Sequence, residues 1–370
     1  MIHWREGRVI SQRAEWPGVR EVVVRLATPL PEASEPVEIR AIAFLDEIGR
    51  PEVDDRVLLN VSALARGLGT GGFALIVAIP DRLPADPPPS DGHLVKARYT
   101  PLQTMVLGVD DQESPHHETL RDVASLEGLP VIVADLHSAV PAIVAGIYAA
   151  SPGARVAYVM TDGGALPARF SRSVAELTSA GRLLGTVSVG QSFGGDLEAV
   201  TVHTGLLAAK EVLKADIVIV AQGPGNLGTG TPWGFSGVAA GEALNAAGVL
   251  GGRPIASLRV SGADLRERHL GISHHSLTAY GKVALAPSEV VVPKFSGELA
   301  DLGARVVEQA LQLGVPRGRH SLVEVATDGL YQALQGSPAR LSTMGRGLDE
   351  DPSSFLAAAA AGRYAALLLT

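Results

Sequence analysis

From residue 96 onward, short apolar runs alternate with helix-patterned segments, and this alternation constrains the fold more than any other feature of the chain. Residues 105–109, 130–134, 155–160, 184–189, 217–221, 254–260, 289–292, 322–325 and 365–369 read as strands, most of them apolar throughout. A strand that is apolar on both faces is covered on both faces, and parallel strands need helix-length crossovers. Helical patterns at 118–127, 138–150, 169–182, 197–213, 236–249, 298–313 and 352–361 supply them, many preceded by Ser, Asp or Pro as start signals. The expected fold is α/β, a largely parallel, Rossmann-like three-layer sheet domain spanning 96–370.

Residues 1–95 follow another rule. Short β segments at 21–26, 37–44, 56–60 and 73–79, punctuated by Gly and Pro, predict a small β-barrel or sandwich. Gly69-Thr70-Gly71-Gly72 reads as a tight turn between two of these strands. The five prolines of 80–92 then form an extended connector.

Composition narrows the functional classes. With 46% hydrophobic but only 4% aromatic residues, the core must be built from Ala, Val, Leu and Ile. A net charge of -8 argues against generic nucleic-acid binding, although it leaves room for a local basic patch. The absence of cysteine excludes disulfides, thiolate metal ligands and a catalytic thiol. The apolar tail is interrupted by Gly362 and Arg363, short of a membrane span, and the first residues carry no secretory pattern. A cytoplasmic location is expected. Alanine-rich helices leave a homodimer open.

One glycine-rich turn is the first candidate for a ligand site. Gly223-Pro224-Gly225-Asn226-Leu227-Gly228-Thr229-Gly230-Thr231 follows an apolar strand and precedes a helix, and glycines there let backbone amides approach an anion. A dinucleotide is disfavoured, because Pro224 removes an amide and the next strand ends in Val260-Ser261 with no acid for a ribose. Gly223, Gly225, Asn226, Gly228, Thr229, Gly230 and Thr231 are therefore read as ligand-binding for a small anionic or polar molecule, helped by Arg259 and Arg268. Gly190 to Asp196 is a second such turn, with Asp196 expected to cap the following helix.

Acids and imidazoles gather at the strand ends. Asp111, His116 and His117 follow the first strand of the larger domain, Asp135 and His137 the second, and Asp162 the third. In open α/β sheets this rim is where ligands bind. These six are candidate ligands for a divalent metal, and His274, His275, His137 and Asp135 are candidate catalytic groups. Neither His-x3-His nor HExxH spacing occurs between Arg268 and Thr278, so that segment alone does not predict a metal site. Neither a G-x-S-x-G elbow nor a P-loop is present.

The opening MIHWREGRV, RYTPLQ at 98–103, SPHHE at 114–118, DLHS at 135–138, GPGNLGTGT at 223–231, SHHS at 273–276 and STMGRGLDEDP at 342–352 together resemble a bacterial family catalogued as domain of unknown function 3866. The resemblance implies that the β-rich segment and the α/β part belong to one protein; it carries no activity to transfer. Two readings follow. One is an enzyme acting on a small anionic or polar metabolite, with metal-assisted hydrolysis as one version; the other is a non-catalytic sensor using the same cleft.

Overall fold

The computed structural model describes residues 1–31, 33–68, 71–89, 91–314 and 319–369. The chain divides into two compact units, Met1–Ser90 and Asp91–Thr370. Among the described residues no helix is long and apolar enough to cross a membrane.

The first unit is a closed five-stranded barrel. Its strands are β1 (Trp4–Trp16), β2 (Val19–Leu26), β3 (Glu38–Phe44), β4 (Arg56–Asn60) and β5 (Ala74–Ala78), in the order β1-β2-β3-β5-β4. Of the two architectures expected, barrel and sandwich, the barrel is present. Strand β1 escapes a sequence reading because charged residues interrupt its alternation, and its register against β2 shifts between Val9 and Ser11 and between Gln12 and Glu15. Gly7 is required there, since a Cβ would meet Val24 Cγ1 at 2.4 Å. Inward Val9, Val22, Val24, Val57 and Leu59 make the core. Gly71 and Gly72 lie in a turn before β5, while Gly69 and Thr70 fall outside the described residues.

The second unit opens with a hairpin of β6 (Leu94–Lys96) and β7 (Thr104–Val106). The 105–109 segment therefore does not run as a strand of the main sheet, which it meets through a single parallel bridge from Gly108 to Glu198. That sheet contains β8 (Pro130–Val133), β9 (Val156–Thr161), β10 (Thr186–Ser188), β11 (Leu197–Glu198), β12 (Ile217–Gln222), β13 (Arg253–Ser257), β16 (Glu289–Lys294) and β17 (Ser321–Ala326). A separate two-stranded ladder joins β14 (Val260–Ser261) and β15 (Gly271–Ile272), so the 254–260 run is two strands, not one. The main sheet runs β11-β10-β9-β12-β8-β13-β16-β17, parallel throughout. Val131, Ile132, Val133, Ile217, Val218 and Ile219 are fully buried, as expected for strands with both faces covered.

Helices Val140–Ala150 and Pro352–Leu367 pack together on the sheet, and helices Val202–Glu211, Ala239–Val249 and Ala300–Gly314 contact it as well. The 365–369 strand expectation is wrong. Alanine is the strongest helix former, so the helix continues to Leu367. Gly362 does not break it: a Cβ at Gly362 would stand 2.0 Å from Ile143 O, and one at Gly146 would stand 1.9 Å from Ala359 O. These reciprocal glycines set how closely the two helices approach.

Two further helices are shorter than expected. The 118–127 segment holds only His117–Leu120, and the 197–213 segment begins as β11, with its helix starting at Val202. Thr201, not Asp196, caps that helix by accepting from Thr204 N at 3.2 Å. Asp196 instead accepts from Thr186 N at 2.7 Å. Near this edge, buried Lys96 donates to Glu198 at 2.8 Å and to the carbonyls of Ser188 and Ser192.

Candidate functional site

Strands β8 and β12 are neighbours whose connections leave in opposite directions, β8 towards β9 and β12 towards β13. Their carboxyl ends therefore form a crevice at a topological switch point. Asp135 lies beyond β8, Gln222 ends β12, and Arg259 lies beyond β13 on the other side of β8. Gln222 Nε2 donates to Asp135 O at 2.7 Å and to Asn226 Oδ1 at 3.1 Å, tying the two loops together.

Asp135 is 3% exposed and its Oδ2 has no hydrogen-bond partner. Arg259 NH1 is 3.9 Å away and His275 Nδ1 3.8 Å away, both too far for a hydrogen bond. Burial raises the Asp135 pKa, with Arg259 opposing, and burial likewise lowers that of Arg259. NH1 of Arg259 donates instead to His275 Nδ1 at 3.0 Å. A recess with about 30 Å³ of room lies among Ser138, Asp135, Arg259, Asp264 and Arg346, space for water-sized groups only.

Three imidazoles gather beside this acid. His274 and His275 begin a short helix, His274–Thr278, that continues as a π-turn through Val283. Pairing of β14 with β15 folds the intervening segment back and delivers His269 to the same place. One ring nitrogen from each of His269, His274 and His275 lies within 4.8 Å of the others. Ring centroids are 4.4 to 5.1 Å apart. Phe235 stacks on His275 at 3.8 Å with the rings parallel, and Ser273 Oγ lies 2.8 Å from His269 Nδ1. His274 Nε2 is buried without a partner. Burial, reinforced by Arg259, lowers the pKa of His269 to about 4 and that of His275 to about 3, so both are neutral at pH 7.

A wider cleft, of about 490 Å³, reaches this group from outside. Gly230, Arg268, His274, Thr278 and Lys282 line it, and no carboxylate does among the described residues.

The glycine turn spends much of its hydrogen-bonding capacity on itself and its neighbours. Helix does not follow directly, because Pro232 to Phe235 intervene before a 3-10 turn at Ser236. The excursion closes on itself: Thr229 N donates to Gly234 O at 2.7 Å, Leu227 N to Ser236 Oγ at 3.0 Å, and Ser236 N to Leu227 O at 2.9 Å. Asn226 Oδ1 receives Gln222 Nε2, Ser236 Oγ and Gly237 N. Gly223 is needed for packing, as a Cβ would meet Ala165 O at 2.3 Å. Thr229 and Thr231 hydroxyls lie 3.1 Å from each other. Of the nine residues read as ligand-binding, Arg259 lines the recess and Gly230 and Arg268 line the wide cleft; Gly223, Gly225, Asn226, Gly228, Thr229 and Thr231 line neither.

The six metal candidates also separate. His137 is buried with both nitrogens used, Nδ1 at 3.1 Å from Tyr158 OH and Nε2 at 2.6 Å from Ser171 Oγ. Tyr158 OH has the carbonyls of Ala221 and Gln222 within 3.1 Å and only one proton to give. The network thus assigns Nδ1–H of His137 as donor to Tyr158 and Ser171 as donor to Nε2. This closed arrangement holds the loop and leaves no nitrogen for catalysis or metal. Asp162 accepts from Gln191 N at 3.0 Å, and His117 Nδ1 is 2.9 Å from Asp110 O. Asp111 groups with His93 and Glu113. None of Asp135, His116, His117, His137 and Asp162 belongs to a metal-sized cluster among the described residues.

Sequence reasoning left His269 out of the catalytic candidates, although it lies within seven positions of His274 and His275, and missed Phe235 and the acid–arginine network behind the recess. Asp351, 1% exposed, receives Ser261 Oγ at 2.5 Å and Ser353 Oγ at 2.6 Å, and Arg346 bridges Asp351 and Asp264. The signal for two of these was the STMGRGLDEDP run, which carries Arg346 and Asp351.

No curated protein matches the chain. A family model described as "Protein of unknown function (DUF3866)" matches residues 40–362, most of the chain, and the protein belongs to that family.

Proposed function

We propose that this protein is an enzyme acting on a small anionic metabolite that enters the cleft between Arg268 and Lys282. The observation that carries the reading is the charge pattern of that cleft: two cationic side chains, no carboxylate among the described residues, and His274 with a buried, unspent nitrogen. Guanidinium and ammonium groups favour phosphate or carboxylate oxygens. Neutral imidazoles and a buried carboxylate behind them are the groups proton-transfer or hydrolytic chemistry requires.

The test is binding of inorganic phosphate and of a panel of phosphate and carboxylate esters, followed by analysis for products. Arg268→Ala and Lys282→Ala are each expected to weaken anion binding about tenfold, in a salt-sensitive way. Anion affinity indifferent to both substitutions would sink the cleft assignment. An ester that binds through Arg268 and Lys282 and is recovered unchanged after long incubation would replace the enzyme with a sensor.

A further inference from the structure

We propose that His269, His274 and His275 form a three-imidazole site for one divalent transition metal of the zinc class at the floor of the wide cleft. The proposal deepens the cleft reading above and stands on separate geometry, the convergence of three ring nitrogens within 4.8 Å. Three histidines that leave a fourth position open are a donor set zinc accepts for catalysis, with metal–nitrogen distances of roughly 2.0–2.1 Å. Such bonds place the nitrogens about 3.3 Å apart in a tetrahedron, so the rings need close by at most about 1.5 Å. Of the three, His274 lines the cleft, which is therefore the route by which an anionic oxygen or a water would reach the ion.

Several features prepare the rings for this. The Ser273 hydroxyl, 2.8 Å from His269 Nδ1, can turn to accept Nδ1–H and leave Nε2 as the ligand atom. Phe235 stacked on His275 fixes that ring's plane. His274 Nε2 is buried with no hydrogen bond to lose.

Arg259, Arg266 and Arg268 all oppose a cation here, and for Arg259, the one hydrogen-bonded to a ring, the structure holds a remedy. Arg259 NH1 sits 3.0 Å from His275 Nδ1 and 3.9 Å from Asp135 Oδ2. A movement of about 1 Å carries it from the imidazole to the carboxylate at hydrogen-bond distance. His275 is then freed as a ligand, and Asp135 gains the partner it lacks. The buried carboxylate thus serves as a positioning residue for the arginine. The other metal-sized group joins exposed His93 and Glu113 to half-buried Asp111 and makes a natural control.

The experiment uses the full chain stripped of metal, titrated with Co2+ by visible absorption and with Zn2+ by calorimetry, with no anionic ligand added. One ion per chain and a tetrahedral Co2+ spectrum are expected. His274→Gln and His269→Gln should each weaken binding by at least about a hundredfold, and Asp135→Asn by about tenfold. Asp111→Asn should leave it unchanged. His274 is half-buried and makes no side-chain hydrogen bond through Nε2, so its variant is expected to keep the fold, checked by circular dichroism. No binding by the parent chain, unaltered Co2+ affinity and spectrum in folded His274→Gln, or loss of binding in Asp111→Asn would overturn the proposal. Phosphate binding through Arg268 is read separately, so either idea can fail without the other.

Discussion

Buried His137 and the cluster of His269, His274 and His275, of which His274 is half-buried, stand near the carboxyl edge of one sheet, and they differ in how fully their ring nitrogens are used. His137 gives both ring nitrogens to partners, Tyr158 and Ser171, and ties β8 to β9 and β12. His269, His274 and His275 crowd one another, and His274 Nε2 has no partner at all. Burial and acidity do not tell the groups apart, because desolvation lowers His137 to about 4, much as it lowers His269. What separates them is unspent bonding capacity. A buried group with every partner in place rigidifies the fold, whereas one left unpaired costs stability and needs another reason to be there.

That comparison can be broken by measurement. The largest effect is expected for His137→Ala, which opens a cavity and strands Tyr158 and Ser171; urea denaturation should show a loss of about 3 kcal/mol. His274→Ala should cost less than about 1 kcal/mol, since it breaks no hydrogen bond. Equal losses in the two variants would erase the distinction.

Next comes pH. The folded pKa of His137 lies below its unfolded value near 6.5, so the unfolded chain takes up the proton first. Stability is therefore greatest above pH 6.5 and falls as pH drops from 6.5 to about 4, by on the order of 3 kcal/mol from this residue. Asp135 works in the other direction: its folded pKa is raised, so its contribution is present at low pH and lost as pH rises through that value. Urea midpoints between pH 7.5 and 4.5 should fall less steeply for His137→Gln than for the parent. An unchanged slope would remove His137 as a source.

A smaller effect than that of His137→Ala, about 1–2 kcal/mol, is expected for Tyr158→Phe, which takes the acceptor from His137 Nδ1 but leaves the ring packed. The same measurement sharpens the tautomer assignment. If the variant is as stable as the parent, His137 does not depend on Tyr158 as its acceptor.

Much of the fold was written in local pattern. Runs such as 130–134 and 217–221 are apolar at every position, which requires cover on both faces, and nearly every strand of the main sheet follows from that rule. The exceptions have local causes of their own. Charged residues hide β1, and alanine carries the last helix through 365–367, where an apolar run resembles a strand. The candidate site was legible in part: Asp135, Arg259, His274 and His275 are brought together, while His137 and the body of the glycine turn are committed to structural bonds.

The sequence by itself determined that strand ends would carry acids and histidines, because residues that follow an apolar run emerge at the rim. Only the tertiary structure decided which of them meet. Helical spacing predicts that His274 and His275 diverge, and His269 is not on their helix; the β14–β15 pairing turns the chain back and supplies it. Which nitrogens remain unspent depends on neighbours far along the chain, such as Tyr158 and Ser171 for His137, and Asp135 and Arg259 beside His275. Hydrogen-bond partners across tens of residues leave no local pattern, so the chemistry of this edge became readable only once the sheet had brought them into contact.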